Sequence, residues 1–181
     1  MNRIAILGPA FTFHDLASQT FLPDHQAVYY DKFDLIFQDL IEGKIHEALI
    51  AVHNSEAGWV ENNWERIQKE GLKLKAEFEL RIALHLAGKA KYQLKDIKRI
   101  YSHPMALAQT KKYFIPDQGI EFISTSSTAA AIEQLKKEKS VNAGVICSKE
   151  AIKSNELYMI EQNIQDSTKN MTRFAWVSRS C

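Results

Sequence analysis

Cysteine is scarce in this sequence: only Cys147 and Cys181 occur among its 181 residues. Cys147 lies in an apolar run and Cys181 is the last residue, so the pair has neither the pattern of a disulfide framework nor metal-ligand spacing. We therefore expect a reducing compartment, the cytoplasm. The N-terminal residues Met1, Asn2 and Arg3 lead into a short strand-like run rather than the apolar stretch of a signal peptide, in agreement with that expectation.

An excess of one charge and a long hydrophobic run are also missing. Lysine and arginine number 23, aspartate and glutamate number 22, and the net charge is +1. Nucleic-acid-binding proteins usually carry a basic excess, and a transmembrane helix needs about 20 consecutive apolar residues. We therefore expect neither nucleic acid nor membrane as a partner. The 45% hydrophobic and 25% charged residues are ordinary for a globular protein.

The common signatures of metal and cofactor sites do not occur. The six histidines show no HExxH motif or other paired ligand spacing, and there is no Gly-x-Ser-x-Gly elbow or phosphate-binding glycine loop. Gly8-Pro9 follows a strand but is not a dinucleotide fingerprint. The sequence thus predicts neither a metal nor a cofactor.

Short apolar runs alternate with segments of helical periodicity, which is typical of an α/β protein with a largely parallel sheet. The predicted strands are 3–7, 47–52, 78–86, 97–101, 120–123, 142–147, 157–161 and 172–177. The predicted helices are 11–21, 32–43, 62–70, 105–114, 128–137 and 149–154. Pro104 suits the first turn of the fourth helix.

Polar clusters follow several of these strands, where sheets of this kind bind ligands. Each cluster taken alone can also be explained by a purely structural role. Ser126 to Thr128 could bind an anion at a helix start or simply cap the helix. Arg173 could clamp a carboxylate or form a salt bridge. The clusters are Gly8-Pro9, His53-Asn54-Ser55, Ser102-His103-Pro104, Ser124 to Thr128, and Asn170 to Arg173.

Taken in order, five blocks resemble motifs of the prephenate dehydratase catalytic domain, and together they span nearly the whole chain. They are Gly8-Pro9-Ala10-Phe11-Thr12-Phe13-His14, Ile50 to Gly58 around Asn54-Ser55, Ser102-His103-Pro104 with Gln109, Ser127-Thr128 with Ala131, and Asn170-Met171-Thr172-Arg173-Phe174.

This resemblance implies a two-lobed α/β fold like that of type II periplasmic binding proteins, with mostly parallel sheets and an interlobe cleft. Residues 1–78 with 165–181 would form one lobe, and residues 79–164 the other. The implied enzyme is a carbon–oxygen lyase of L-phenylalanine biosynthesis. It converts prephenate to phenylpyruvate, carbon dioxide and water without a cofactor. The family also implies a homodimer, and the small-molecule partner would be prephenate or a related carboxylic acid.

Residue by residue, the resemblance implies that Thr172 engages the leaving hydroxyl group and that neutral donors stabilise the developing charge. The implied catalytic residues are Thr172, Asn54, Ser102 and Gln109. The implied substrate-binding residues are Thr12, Ser55, Ser127, Thr128 and Arg173. For Arg173 two roles stay open, setting the local charge or bracing Thr172.

Four positions depart from the family pattern: Phe11 and His14 replace a glycine and a serine, and His53 and Ala57 replace two glutamates. Glycine accepts a positive φ at little cost, whereas phenylalanine does not. These departures keep other functions open: an arogenate dehydratase, a non-aromatising prephenate decarboxylase, a binding module for a carboxylic acid, or a subunit that only assembles. We also expect that the ACT regulatory domain is absent, and with it feedback inhibition by phenylalanine.

Overall fold

The computed structural model describes residues 2–114, 119–139 and 142–179. The chain divides into two compact units, Met1–Ile82 with Lys169–Cys181, and Ala83–Thr168. The lobe boundaries inferred from the resemblance, after residues 78 and 164, stay a prediction. No helix within the described ranges has both the length and the apolar character needed to cross a membrane.

Strands and helices alternate along most of the described chain. The strands are β1 (Asn2–Leu7), β2 (His25–Tyr30), β3 (Glu47–Asn54), β4 (Gly58–Trp59), β5 (Lys73–Arg81), β6 (His85–Gly88), β7 (Arg99–Ser102), β8 (Glu121–Ser124), β9 (Ala143–Cys147), β10 (Tyr158–Glu161) and β11 (Met171–Ser178). The α-helices are α1 (Phe13–Phe21), α2 (Phe33–Ile41), α3 (Asn63–Lys69), α4 (Pro104–Ala108), α5 (Thr128–Lys137) and α6 (Lys149–Ser154).

The sheet of the first unit has the strand order β2-β1-β3-β11-β5, with β4 paired to β3. β1 runs parallel to β2 and β3, while β11 runs antiparallel to both β3 and β5. The ends of β1 and β3 therefore meet the beginning of β11 at one edge of the sheet.

The sheet of the second unit has the order β10-β6-β9-β7-β8. β7 is parallel to β8 and β9, while β6 is antiparallel to β9 and β10. The predicted α/β fold is confirmed, and each sheet combines parallel with antiparallel strand pairs. In each unit, strands that follow no crossover helix join the parallel strands in the antiparallel direction.

Each unit has its own apolar core. In the first, the middle of β3, from Ala48 to Val52, is buried and packs with α2 side chains such as Phe37. In the second, α5 packs on β7 and β9 through residues including Ile132 and Val145. Fully burying a side chain of this size stabilises the fold by about 1.5–3 kcal/mol.

Capping serines confirm two predicted helices of the second unit. Ser127 accepts a hydrogen bond from the backbone of Ala130 and begins α5, and Ser148 does the same from Ala151 and begins α6. The predicted helix 105–114 is much too long, because α4 ends at Ala108.

One strand prediction fails, and one strand was missed. The segment 78–86 is not one strand: β5 ends at Arg81 in the sheet of the first unit, and β6 begins at His85 in the sheet of the second. Between them, the backbone of Leu84 donates to the buried Gln165 side chain instead of a strand neighbour. β2 was not predicted, since its sequence HQAVYY mixes apolar and polar residues in no simple alternation.

Candidate active site

Asn54 and Thr172 lie directly opposite each other where β3 ends and β11 begins. The Asn54 side-chain nitrogen Nδ2 donates to Thr172 Oγ1 at 2.9 Å and to Asn170 Oδ1 at 2.9 Å. The carbonyl oxygen of Met171 lies at 3.2 Å from the same nitrogen. Asn54 is 4% exposed and Thr172 9%, so this contact is shielded from bulk water.

The other end of the Asn54 amide organises the turn after β3. Its Oδ1 accepts hydrogen bonds from the backbone nitrogens of Glu56 and Ala57, both at 3.0 Å. Two backbone donors on one oxygen assign the amide orientation, because only the oxygen can accept them. The Asn54 nitrogen must therefore face Asn170 and Thr172.

The Thr172 hydroxyl is thereby set up as a donor. A threonine hydroxyl has one proton to donate and lone pairs to accept with, and here a lone pair is occupied by Asn54. Within the described part of the chain, the Thr172 proton has no acceptor. A neutral hydroxyl whose lone pair is occupied by Asn54 can donate its proton to a ligand oxygen on which negative charge develops.

Ser55, an implied substrate-binding residue, is hydrogen-bonded to the backbone instead. Its hydroxyl donates to the Lys169 carbonyl and accepts from the Met171 nitrogen, each at 3.0 Å. The Ser55 nitrogen also donates to the Met171 carbonyl at 2.9 Å. These three bonds fasten the turn after β3 to the beginning of β11.

Arg173 does not share a face with Thr172. Successive side chains of a strand point to opposite sides, and the Arg173 guanidinium lies 5.6 Å from the ring centre of Trp59 and 5.7 Å from that of Trp64. Its Nε lies 3.4 Å from a carboxylate oxygen of Glu77. These contacts favour the bracing role for Arg173 over a direct substrate contact.

His53 belongs to this second face as well. It pairs with Arg173 across the β3–β11 ladder, and its ring packs edge-on against Trp59 with centres 5.1 Å apart. A glutamate here, as in the family motif, would stand opposite the arginine. In this chain the carboxylate beside Arg173 comes from Glu77 instead.

Thr12 is the N-cap of α1 and accepts a weak hydrogen bond from the Asp15 backbone at 3.4 Å. In return the Asp15 carboxylate, 2% exposed, accepts from the Phe11 nitrogen at 2.8 Å and from the Tyr29 hydroxyl at 2.8 Å. This loop follows β1, so Thr12 lies beyond the sheet edge that carries Asn54.

Phe11 adopts the left-handed backbone conformation, with φ of 68°. Its side chain is 38% exposed. Phe11 thus occupies a backbone conformation that glycine accepts at little cost, and its nitrogen is held there by the hydrogen bond to buried Asp15.

His14 packs its ring against Phe33 and Phe174, with ring centres 5.5 and 5.2 Å away. Its Nε2 is buried and has no hydrogen-bond partner in the described structure. Burial lowers the pKa of His14 to about 4. The imidazole is thus neutral at physiological pH and acts as a core side chain under β11.

In the second unit, Ser102 ends β7 and is fully buried. Its hydroxyl donates to the Ile146 carbonyl of β9 at 2.7 Å, so its proton is engaged by the backbone. His103 follows as the N-cap of α4, accepting from the Met105 nitrogen at 3.2 Å through Nδ1. Burial lowers the pKa of His103, which favours the neutral imidazole that the cap requires.

The other implied residues of the second unit lie near helix ends. Ser127 caps α5 through its hydroxyl, and Thr128, 7% exposed, is the first residue of that helix. Gln109 follows α4, and its carbonyl accepts from the Asp166 nitrogen at 2.7 Å. Because β7 and β8 are parallel and end in register at Ser102 and Ser124, α4 and α5 begin at the same sheet edge.

The structure thus joins Asn54, Ser55 and Thr172 in one hydrogen-bonded group and separates Arg173 from them by the sheet. Asn170 joins the same group; it opens the motif Asn170-Met171-Thr172-Arg173-Phe174, but the resemblance implied no role for it. Among the residues that the structure describes, no group of three or more histidine, cysteine, aspartate or glutamate side chains is placed to hold a metal ion.

A model of the prephenate dehydratase family matches residues 4–181. The chain belongs to the prephenate dehydratase family. A curated relative, the prephenate dehydratase of Lactococcus lactis subsp. cremoris, is 34% identical over 176 residues, which cover 95% of this chain and 62% of the relative. The chain therefore spans less than two thirds of that relative.

Solved structures of family members have the same fold. The prephenate dehydratase of Arthrobacter aurescens, determined in complex with L-Phe, superposes over 99% of this chain and 61% of its own with a TM-score of 0.86 at 24% identity. A periplasmic substrate-binding protein of an ABC transporter from Coxiella burnetii matches 99% of this chain and 84% of its own, with a TM-score of 0.54 at 11% identity. The fold of this family member is thus the α/β fold also seen in periplasmic binding proteins.

Proposed function

We propose that this chain catalyses the prephenate dehydratase reaction, the decarboxylation and dehydration of prephenate to phenylpyruvate. The observation that carries the proposal is the contact between Asn54 Nδ2 and Thr172 Oγ1. Because Asn54 occupies a lone pair of Thr172 Oγ1, the threonine hydroxyl is left to donate its proton. The family resemblance implies that this hydroxyl engages the leaving group of the substrate.

The reaction needs a donor there for electronic reasons. The bond between the ring and its carboxylate breaks and releases carbon dioxide, and the electron pair moves through the ring. The bond between the ring and its hydroxyl breaks as the ring becomes aromatic, and the departing oxygen takes a proton from solvent to leave as water. A hydrogen bond from Thr172 to that oxygen stabilises its growing negative charge without attracting the carboxylates elsewhere on the substrate.

The remaining implied residues divide by their contacts. Thr12, Ser127, Thr128 and Gln109 are proposed to bind the substrate. Ser55 and Ser102 each donate their proton to a backbone carbonyl, so their proposed part is to fix the backbone around the site or to accept a hydrogen bond. Arg173 is proposed to brace β11 beneath Thr172.

The setting of the enzyme is proposed as cytoplasmic and homodimeric, with phenylalanine biosynthesis as its pathway. The proposed reducing compartment rests on the low cysteine content, two cysteines among 181 residues. Cys147 is a buried thiol whose pKa is raised by burial to about 12. Such a thiol stays protonated and unreactive. The dimer rests on the family resemblance alone, and sedimentation of the purified chain tests it.

The experiment is turnover of prephenate by the purified chain, with products separated by mass spectrometry. We expect loss of both carbon dioxide and water, with phenylpyruvate read by its absorbance in alkali. Loss of carbon dioxide alone would show a non-aromatising decarboxylase, and conversion of arogenate but not prephenate would show an arogenate dehydratase. Binding of prephenate by calorimetry without any product would show a binding module. Each of these three results would overturn the proposal.

A further inference from the structure

Asn170 is a buried side chain, 1% exposed, just before β11. Its Oδ1 accepts from Asn54 Nδ2 at 2.9 Å, and its backbone carbonyl accepts from the Ile82 nitrogen at 2.8 Å. Thr172 is two residues further along the chain, so its side chain and that of Asn170 reach the same Asn54 nitrogen from one segment.

The hydrogen-bond inventory of Asn54 shows what Asn170 contributes. The amide oxygen is saturated by the backbone nitrogens of Glu56 and Ala57. The amide nitrogen has two protons, and two side-chain oxygens lie at 2.9 Å from it, those of Asn170 and Thr172. With one proton on each, the plane of the amide is fixed.

Without the Asn170 oxygen, that arrangement loses its anchor. The Asn54 proton that was hydrogen-bonded to Asn170 would turn toward the Met171 carbonyl oxygen, which lies 3.2 Å from Asn54 Nδ2. The Asn54 amide would then rotate about its Cβ–Cγ bond. The hydrogen bond from its second proton to Thr172 Oγ1 would no longer be linear. A hydrogen bond weakens steeply as its angle departs from linearity.

We propose that Asn170 is a positioning residue for the reaction: its Oδ1 orients the Asn54 amide so that Asn54 holds Thr172 as a donor. The inference rests on the proposed function, because it names how the Thr172 hydroxyl of that site is aimed. Asn170 touches the substrate at no step. Its role requires an acceptor at Oδ1 and does not use its own amide protons.

The first test compares the steady-state kinetics of two variants with prephenate. Asn170→Leu removes the acceptor at similar volume and is expected to lower kcat by about 10- to 100-fold with KM changed less than about threefold, the scale of one buried hydrogen bond. Asn170→Asp keeps an acceptor and is expected to retain a kcat at least several-fold above that of the leucine variant, with the added charge raising KM. The control is Asn62→Ala, at an exposed asparagine before α3 whose side chain makes no capping bond.

Equal kcat losses in the leucine and aspartate variants, or a leucine variant as active as the wild type, would overturn the inference. Circular dichroism melting shows whether each variant is folded.

A second readout is independent of activity. The side-chain amide signals of Asn54, assigned with an Asn54→Asp variant, should shift and exchange faster with solvent in Asn170→Leu than in the wild type or Asn170→Asp. If they do not change, Asn170 does not orient Asn54, whatever the kinetics. If the wild-type chain turns over no prephenate but the signals change as expected, the proposed function fails and the positioning of Asn54 stands.

Discussion

Thr172 and Arg173 are consecutive residues of β11 whose side chains lie on opposite faces of the sheet, Thr172 against Asn54 and Arg173 against Trp59, Trp64 and Glu77. The sheet itself therefore separates the proposed donor from the neighbouring cation. A substrate carboxylate that reaches Thr172 from its own face does not meet the Arg173 guanidinium.

Replacing Arg173 by methionine should therefore affect the fold more than the binding of substrate. We expect a loss of about 1–2 kcal/mol of unfolding free energy, because the contacts with Trp59, Trp64 and Glu77 are lost. KM for prephenate should stay within about threefold of the wild type, as expected for a group outside the binding site.

Urea unfolding and steady-state kinetics measure the two effects. Arg81→Met, at an exposed arginine at the end of β5, is the matched control. A KM raised by orders of magnitude with unchanged stability would assign Arg173 to carboxylate binding and reject the bracing role.

Replacing Phe11 by glycine should stabilise the protein. Phe11 has φ of 68°, a conformation that costs an L-residue about 1–2 kcal/mol, while the extra flexibility of glycine in the unfolded chain costs about 0.5–1 kcal/mol. The net gain should be roughly 0.5–1 kcal/mol, seen as a rise in Tm of a few degrees.

Phe11→Ala is the control for this change, because it removes the same exposed ring but keeps the backbone penalty. If alanine raises Tm as much as glycine does, the aromatic ring and not the backbone is the source of the strain.

His14 makes stability depend on pH. Its pKa is lowered by burial from 6.5 to about 4, so between these values the unfolded state binds a proton that the folded state does not. Stability is therefore unaffected above about pH 6.5 and falls as pH decreases toward 4, by on the order of 1–2 kcal/mol near pH 5.

Urea unfolding of the wild type and of His14→Leu at several pH values measures this contribution. The leucine variant should lose less stability on acidification, whereas His46→Leu, at an exposed histidine, should follow the wild type. Equal slopes for all three proteins would show that His14 is not the group responsible.

Ser102 should contribute to stability through its hydroxyl. Ser102→Ala leaves the buried Ile146 carbonyl of β9 without its 2.7 Å donor, at an expected cost of about 1–3 kcal/mol. Its partner in register across β7 and β8 is Ser124, which is exposed, so Ser124→Ala should change stability by less than about 0.5 kcal/mol. Chemical denaturation measures the unfolding free energy of both variants. Equal losses of stability would contradict a stabilising role for the Ser102 hydroxyl.

The starts of α5 and α6 were predictable from the sequence, because a capping serine precedes a segment of clear helical periodicity. α5 and α6 begin directly after Ser127 and Ser148, as predicted. The prediction of a single strand over 78–86 failed because Leu80 and Leu84 are both buried, one in each unit. Apolar periodicity reports burial, and it does not report which sheet a residue joins.

The candidate site was predictable only in part for a related reason. The motif blocks identified Asn54 and Thr172, but the pairing of β3 with β11 brings them together across 118 residues of chain. That pairing also decides that Arg173 lies on the other face. For Asn170, the motif Asn-x-Thr-Arg-Phe was visible, yet its hydrogen bond to Asn54 required the register of the two strands.

The most direct test of the proposed mechanism is kcat for prephenate in two variants, one that keeps the Thr172 hydroxyl and one that removes it. Thr172→Ser keeps the donor and should retain activity within about tenfold of the wild type, whereas isosteric Thr172→Val should lose about 100- to 1000-fold, the scale of one lost donor to a developing oxyanion. Thr20→Val, at an exposed threonine of α1, is the control. A folded valine variant as active as the serine variant would contradict the claim that the Thr172 hydroxyl carries the reaction.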